Sequence, residues 1–406
     1  MTAQDAAIIS RSSWLDRRLT LGFAKFLLAA EIGFFIFFAL GTAGLIVPLK
    51  KPISTDFVSF YAAGSLANAG SPQLTYDQVA HYAAEENASQ PGIAYNYFYY
   101  PPPFLLLCSA LARLPYLAAF IAFEALSLAL YVLIVRRILA ERGWEILVPI
   151  LAFPPVLWTI GLGQNGFLTA GLFGAATLLI DRRPFGAGVL FGALICKPHF
   201  ALLVPLALAT GRRWRAFCGA FIGAVSLFLL SIFVFGWQTW HAFLVASAGS
   251  ANVYASGRIP FGGFVTPFGG AMMWGEAPRA AAIVQMFATL IAAGFVACVW
   301  RRNLPLPIRA ASLASATLVA VPLALFYDLV FGGIAVAWLL RANGEYRLPE
   351  WGKPILAVLY VLCLSPRAMA AASHLPIGSF VALALVILTA AVALGRRGAL
   401  QSVAGS

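Results

Sequence analysis

The sequence predicts an all-α polytopic membrane protein, and three observations support this. Of its 406 residues, 61% are hydrophobic and only 10% are charged. The mean hydropathy of +0.87 is too high for a water-soluble fold of this length. Apolar runs recur along the chain, and the first, at about residues 22–47, exceeds the ~20 residues that a helix needs to cross the hydrocarbon core. It has no Ala-x-Ala cleavage site, so we interpret it as a retained helix and not as a signal peptide.

The distribution of basic residues predicts the topology. Lysines and arginines form short clusters at the ends of apolar runs, and such clusters face the cytoplasm. The clusters are Arg11/Arg17/Arg18, Arg136/Arg137/Arg142, Arg182/Arg183, Arg212/Arg213/Arg215, Arg301/Arg302, Arg341/Arg347/Lys353 and Arg396/Arg397. One helix out and one back between successive clusters gives about twelve transmembrane helices with both termini inside. They are expected at residues 22–47, 116–135, 145–160, 165–180, 184–196, 199–210, 214–235, 279–300, 306–326, 329–341, 354–367 and 376–394.

This topology predicts a single integral membrane domain, residues 22–397, between short cytoplasmic tails at 1–21 and 398–406. Two longer segments, 48–115 and 236–278, then lie on the outer face. Both are expected to cover one face of the bundle.

The two outer segments have different patterns. The first is expected to contain juxtamembrane helices at 56–69 and 76–86, and a helix from Pro101 that dips into the outer leaflet. The second is rich in Gly, Ser and aromatic residues and lacks helical periodicity, which predicts a mobile loop over a cavity.

Several function classes are disfavoured by residue usage. The net charge of +12 follows from membrane topology, so we expect no nucleic-acid partner. The cysteines lie in apolar segments without a Cys-x-x-Cys spacing, and the four histidines are far apart, which disfavours a metal site. We therefore expect a monomer among membrane lipids, without metal or cofactor.

Lys197 lies between two short apolar segments, 184–196 and 199–210. At 1.5 Å per residue each covers about 20 Å, well short of the ~30 Å core. The Lys197-Pro198-His199 apex is therefore expected within the outer half of the bundle. A lysine there needs an anion, which favours a ligand contact; a snorkelling lysine at a helix end is the alternative.

Polar residues at two other outer turns are further candidates. Gln164 and Asn165 can exchange hydrogen bonds with sugar hydroxyls, although a plain turn is an equal alternative. Asp328 lies at the outer end of a span, where a carboxylate is costly without a partner. Capping of the helix that follows is the alternative.

Asp56 follows the first apolar run closely. It either caps the next helix, with Ser54 and Thr55 as competing caps, or acts as a functional carboxylate. Its place on the same outer face as Lys197 and Gln164 favours the second interpretation.

In order and spacing, the candidate residues resemble glycosyltransferase family 87 over roughly residues 20–345. The matching positions are Asp56, Tyr61-Ala-Ala-Gly64, Tyr76-Asp77, Tyr100-Pro101-Pro102, Gly163-Gln164-Asn165, Lys197-Pro198 and Tyr327-Asp328. The family includes polyprenol-phosphate-mannose-dependent mannosyltransferases and belongs to the GT-C superfamily. Many members have a histidine-containing motif where this chain has Tyr327-Asp328, which leaves open what this corner recognises.

The resemblance implies a GT-C-like bundle in the bacterial inner membrane with its active site facing the periplasm. The implied reaction is inverting transfer of one sugar, mannose in the best-known members, from a polyprenyl-phosphate donor to a lipid or glycan acceptor. Asp56 would be the general base, while Lys197 and Arg258 would stabilise the leaving phosphate. The other candidates, for substrate binding, are Tyr61, Tyr100, Gln164, Asn165, His199, Tyr327 and Asp328.

Two other functions fit a membrane cavity with buried charge. A transporter or flippase of lipid-linked sugars is one, although such proteins often have repeated halves with paired broken helices. An oligosaccharide ligase or polymerase is the other; arginine-rich outer loops would favour it, but the outer arginines here, Arg258 and Arg279, are few.

Overall fold

The computed structural model describes residues 17–42, 56–141, 143–342, 346 and 348–395. Within them the chain is all-helical, with one isolated bridge between Phe264 and Leu325 in place of any sheet. The all-α prediction is confirmed. Several sequence predictions fall outside the described residues, namely most of the N-terminal tail, the end of the first span, the caps Ser54 and Thr55, the basic residues Arg11, Arg142, Arg347, Arg396 and Arg397, and the C-terminal tail.

The described residues form nineteen α-helices. The first four are α1 (Arg17–Thr42), α2 (Phe57–Asn68), α3 (Gln78–Ala88) and α4 (Pro102–Leu111). The next seven are α5 (Tyr116–Leu139), α6 (Leu147–Leu151), α7 (Pro154–Leu162), α8 (Gly166–Leu179), α9 (Pro184–Gly192), α10 (Val204–Thr210) and α11 (Trp214–Phe235). The last eight are α12 (Trp237–Ala255), α13 (Pro267–Met273), α14 (Pro278–Arg301), α15 (Leu306–Ala320), α16 (Val330–Ala342), α17 (Gly352–Leu362), α18 (Pro366–Ser373) and α19 (Ile377–Leu394).

Among these residues, four helices are long and apolar enough to cross a membrane, namely α5, α11, α14 and α19. Two bent pairs raise the number to six if each is one span: Trp144–Leu151 with α7, bent by 67°, and α17 with α18, bent by 88°. Pro154 and Pro366 begin the second helix of each pair, and proline cannot continue a preceding helix. The chain is thus an integral membrane protein, and the count of twelve spans stays a prediction.

The second outer segment differs from the sequence prediction. Trp237–Ala255 forms the 19-residue helix α12, so the expectation of an irregular loop was wrong for this half. Residues 246–252 in the middle of this helix are all Ala, Ser, Gly or Asn, which hides the apolar periodicity of a helix. Trp240 anchors it by packing against Phe228, with the two rings tilted by 58° and 4.7 Å between their centroids. Irregular chain follows, from about Ser256 to Thr266.

Helices α2 and α4 pack unusually closely, and this fixes the start of α2. A Cβ atom on Gly64 would lie 2.1 Å from the Cys108 carbonyl oxygen, so only glycine fits at that crossing. On the same side, Phe57 and Phe60 lie in an aromatic cluster with Phe104. The helix that begins immediately after Asp56 is therefore held rigidly against its neighbours.

The predicted orientation can be tested by cysteine labelling in a variant without native cysteines. Single cysteines at Ser89 and Ser256, both exposed, should react with an impermeant maleimide added to intact cells. A cysteine at Arg182, exposed at a predicted cytoplasmic turn, should react only after permeabilisation. The reverse pattern would invert the topology.

Candidate active site

A cavity of about 1150 Å³ lies beneath the second outer segment. Its wall includes eight of the ten predicted site residues, which come from six separate parts of the chain. They are Asp56, Tyr100, Gln164, Lys197, His199, Arg258, Tyr327 and Asp328. The wall is mostly apolar, with a few polar groups placed among aromatic rings, as is usual for a ligand site.

Asp56 immediately precedes α2, but its side chain makes no capping hydrogen bond. Its Oδ2 instead accepts a hydrogen bond from Gln164 Nε2 at 2.8 Å. In the part of the chain that is described, no contact occupies the other oxygen, Oδ1. Burial raises the pKa of this carboxyl above its ordinary value, and the hydrogen bond from Gln164 partly offsets the rise. The capping interpretation is therefore wrong for the side chain.

The Gly163-Gln164-Asn165 turn joins two parts of the site. Gly163 has φ +69°, and a Cβ atom there would lie 2.7 Å from Phe57 Cβ, so glycine is required on both grounds. Gln164 and Asn165 are 6% and 1% exposed. Gln164 contacts Asp56, while Asn165 Oδ1 accepts from Lys197 Nζ at 3.1 Å. One turn thus aligns the base candidate with the lysine.

Lys197 forms a buried ion pair with Asp328, with 2.6 Å between Nζ and Oδ1. The two side chains are 5% and 4% exposed, so the snorkelling interpretation of Lys197 is wrong. Asp328 Oδ2 also accepts from the Leu325 amide at 3.1 Å, which caps the short 3-10 turn Phe326–Leu329. Asp328 thus caps the 3-10 turn that precedes α16, whereas the predicted alternative was a cap of the helix itself, and its role as a site group stays a prediction.

Tyr100 completes the polar chain on the side of Asp56. Its hydroxyl donates to Gln164 Oε1 at 3.3 Å, and its carbonyl accepts from Tyr76 at 2.8 Å. Burial, followed by the negative charge of Asp328, raises the pKa of Tyr100 well above its ordinary value. The hydroxyl therefore stays protonated and keeps Gln164 oriented toward Asp56.

A tyrosine-rich wall lies in the segment before α4. The rings of Tyr97 and Tyr99 stack at 5.6 Å and 11°, and both line the cavity. Arg258 reaches this wall from the second outer segment, with Nη1 donating to Tyr97 Oη at 3.1 Å. Aromatic faces with polar tips suit a ligand that has both apolar and hydroxyl surfaces. Neither Tyr97 nor Tyr99 was predicted as a site residue.

Two predicted residues lie off the cavity wall. Asn165 is behind it and acts through Lys197. Tyr61 is on the far side of α2, where its hydroxyl donates to the Leu114 carbonyl at 2.9 Å and its ring packs on Tyr116. The structure thus gives Tyr61 a packing role away from the other candidates.

A buried His81–Glu85 pair supports α2 from behind. His81 Nε2 donates to the Ser59 carbonyl at 3.1 Å, and Glu85 Oε2 accepts from the Asn96 amide at 3.0 Å. Burial lowers the pKa of His81 to about 4 and raises that of Glu85 to about 8. Both side chains are thus mainly neutral near pH 7, and they join α2 to the tyrosine-rich wall.

A comparison of the chain with known protein families gave a match. The sequence model of glycosyltransferase family 87 matches residues 98–325, which is more than half of the chain. This chain belongs to glycosyltransferase family 87. As a family member it is a membrane glycosyltransferase, and the resemblance drawn from its motifs is confirmed. Neither the comparison with curated proteins nor that with solved structures gave a match.

The family 87 match covers only part of the site. Gln164 and Lys197 lie within it, whereas Asp56 and Asp328 lie outside. Among the described residues, no group of three or more His, Cys, Asp or Glu side chains is arranged to hold a metal ion. Arg279 and Arg367 also line the cavity. Neither was predicted as a site residue, because an arginine at a helix end has no distinctive local pattern.

Proposed function

We propose that this glycosyltransferase transfers one sugar from a polyprenyl-phosphate donor to a lipid or glycan acceptor at the outer face of the membrane. The observation that carries the proposal is the Asp56 carboxylate, which lies in a cavity within a membrane bundle with Oδ2 held by Gln164 and Oδ1 free of contacts among the described residues. A membrane-embedded donor and an acceptor could both reach such a cavity. The proposed sugar is mannose, as in the mannosyltransferases that the family includes.

The proposed reaction is a single displacement with inversion at the anomeric carbon. Asp56 Oδ1 accepts the proton of the acceptor hydroxyl as the acceptor oxygen forms its bond to that carbon. The bond from the anomeric carbon to the phosphate oxygen breaks, and polyprenyl phosphate leaves with the electron pair. Gln164 holds Asp56 Oδ2, which fixes the direction of the free oxygen.

Lys197 has a place in this scheme as a fixed donor. An ammonium has three N–H groups, and contacts to Asp328 and Asn165 use two of them. The third can stabilise the leaving phosphate oxygen as its negative charge grows, and a preorganised donor needs no rearrangement to do so. His199 and Tyr327 line the cavity nearby and are proposed to contact the substrates, as is Arg258.

An assay with purified protein tests the proposal. Polyprenyl-phosphate mannose and polyprenyl-phosphate glucose, each labelled in the sugar, would be offered with a lipid extract from a strain that lacks the gene. We expect label from one of them to enter a new glycolipid, with an equal molar release of polyprenyl phosphate. GDP-mannose and UDP-glucose should give no product.

The same assay separates the alternatives. Movement of an intact lipid-linked sugar across vesicles without a new glycosidic bond would support a flippase. Transfer of a preassembled glycan would support a ligase. Transfer from a nucleotide sugar alone would overturn the proposed donor.

A further inference from the structure

Lys197, the residue predicted to bind the donor phosphate, already has a carboxylate partner. Its Nζ lies 2.6 Å from Asp328, and both side chains are buried. Asp56 lines the same cavity and contributes a second carboxylate. The three formal charges sum to −1, so a phosphate anion placed among them would be repelled overall. The net charge of the donor phosphate therefore has to be balanced elsewhere.

Three other cations line the cavity, namely Arg258, Arg279 and Arg367. Among the described residues, none of the three has a carboxylate within 4.0 Å. Arg279 lies in the first turn of α14 and Arg367 in the first turn of α18. The backbone of Arg367 also approaches the segment that bears Arg258, because a Cβ atom on Gly262 would lie 3.6 Å from the Arg367 carbonyl oxygen. The cavity wall therefore has three exposed arginines that no carboxylate contact neutralises among the described residues.

Arg279 begins a row of cavity-lining residues along α14, a helix long and apolar enough to cross a membrane. Arg279, Ala282 and Met286 line the cavity, at the i, i+3 and i+7 spacing of one helix face. Met286 is 52% exposed, and next to it Phe287 and Leu290 are 57% and 60% exposed without lining the cavity. An apolar path of about 10 Å thus connects the arginines with the membrane-facing surface of α14.

We propose that the phosphate of the lipid donor binds between Arg279 and Arg367, with Arg258 closing over it and the lipid chain lying along Ala282 and Met286. This proposal rests on the proposed function, because that function supplies the class of the donor. Guanidinium groups suit phosphate because each offers several N–H donors in a planar fork. The neutral sugar then extends toward Asp56, and Lys197 contacts only the leaving oxygen.

Binding of farnesyl phosphate, a short polyprenyl phosphate, to the full-length protein in neutral detergent tests this site. Wild-type protein should bind farnesyl phosphate more tightly than farnesol or inorganic phosphate. Arg279→Gln and Arg367→Gln should each weaken binding of farnesyl phosphate about tenfold or more, the value of a charge-assisted hydrogen bond. Binding of farnesol should be unchanged in both variants.

Matched controls define the outcomes. Arg113→Gln removes an exposed arginine of the outer segment that does not line the cavity and should have no effect. Met286→Trp should obstruct the lipid path and weaken the binding of farnesyl phosphate and of farnesol to a similar extent. Phe287→Trp should leave both affinities unchanged. If inorganic phosphate bound as tightly as farnesyl phosphate, and its binding also depended on the arginines, the lipid path would be wrong and the site would be one for free phosphate.

The binding measurements distinguish an incorrect arginine site from an incorrect proposed function. If wild-type protein binds farnesyl phosphate and the Arg279 and Arg367 variants bind it as tightly as the Arg113 variant does, the arginine site is wrong while the donor class stands. If wild-type protein does not bind farnesyl phosphate, the proposed donor class itself is wrong, and the site with it.

Discussion

Asp56→Asn is expected to lower sugar transfer by about 10²- to 10⁴-fold, the usual range for a positioned acid or base. The melting temperature should hardly change, because the Asp56 side chain does not cap α2 and Asn can keep one hydrogen bond to Gln164. Only the ability to accept the proton of the acceptor is removed. The measurement is the rate of glycolipid formation, with the unfolding of the same preparation in detergent followed beside it.

Asp77 provides a matched control for this variant. It lies in the same outer segment and caps α3, with its Oδ1 accepting from the Ala80 amide at 2.9 Å. Because Asn caps a helix about as well as Asp, Asp77→Asn should leave both activity and stability near wild type. Asp56→Glu should recover little activity, since the added methylene displaces the carboxylate beyond hydrogen-bond tolerance. An Asp56→Asn enzyme with full turnover would exclude Asp56 as the base.

The pH dependence gives a second readout for Asp56. A base must be deprotonated to act, so transfer should fall as the pH drops through the pKa of Asp56. Burial raises that pKa, so the fall should occur at a higher pH than for an ordinary Asp. Gln164→Leu removes the hydrogen bond that favours the carboxylate, and it should move the fall to a still higher pH.

The sequence predicted the site best where a polar residue interrupts an apolar run. Gln164, Lys197 and Asp328 each occur where an unpartnered polar group would be costly, and that cost is visible in the sequence. The structure brings all three to one cavity. The local helices at 56–69 and from Pro101 were also predictable, because Gly70 marks where the first ends and Pro101 marks where the second begins.

Contacts between residues far apart in the chain could not be predicted from the sequence. Lys197 and Asp328 are 131 residues apart, and no local pattern pairs them. The requirement for glycine at Gly64 follows only from the nearby Cys108 carbonyl. Helix α12 was missed because its small and polar residues lack an apolar stripe.

The Lys197–Asp328 pair should show a large loss of stability when it is broken from one side only. Lys197→Met leaves Asp328 buried without its counter-charge, and removing one partner of a buried pair costs about 3–5 kcal/mol. Asp328→Asn leaves the lysine unpaired, although Asn165 still accepts from it, so the loss should be smaller. Unfolding in detergent measures both effects. If both single variants were as stable as wild type, the buried ion pair would be contradicted.

The double variant, Lys197→Met with Asp328→Asn, separates structure from catalysis. With both charges of the pair removed, it should regain much of the stability that Lys197→Met loses. Transfer should nevertheless stay low, because the N–H group proposed to stabilise the leaving oxygen is absent. If activity returned together with stability, the pair would be a structural element alone, and the leaving oxygen would have to be stabilised by the arginines on the other side of the cavity.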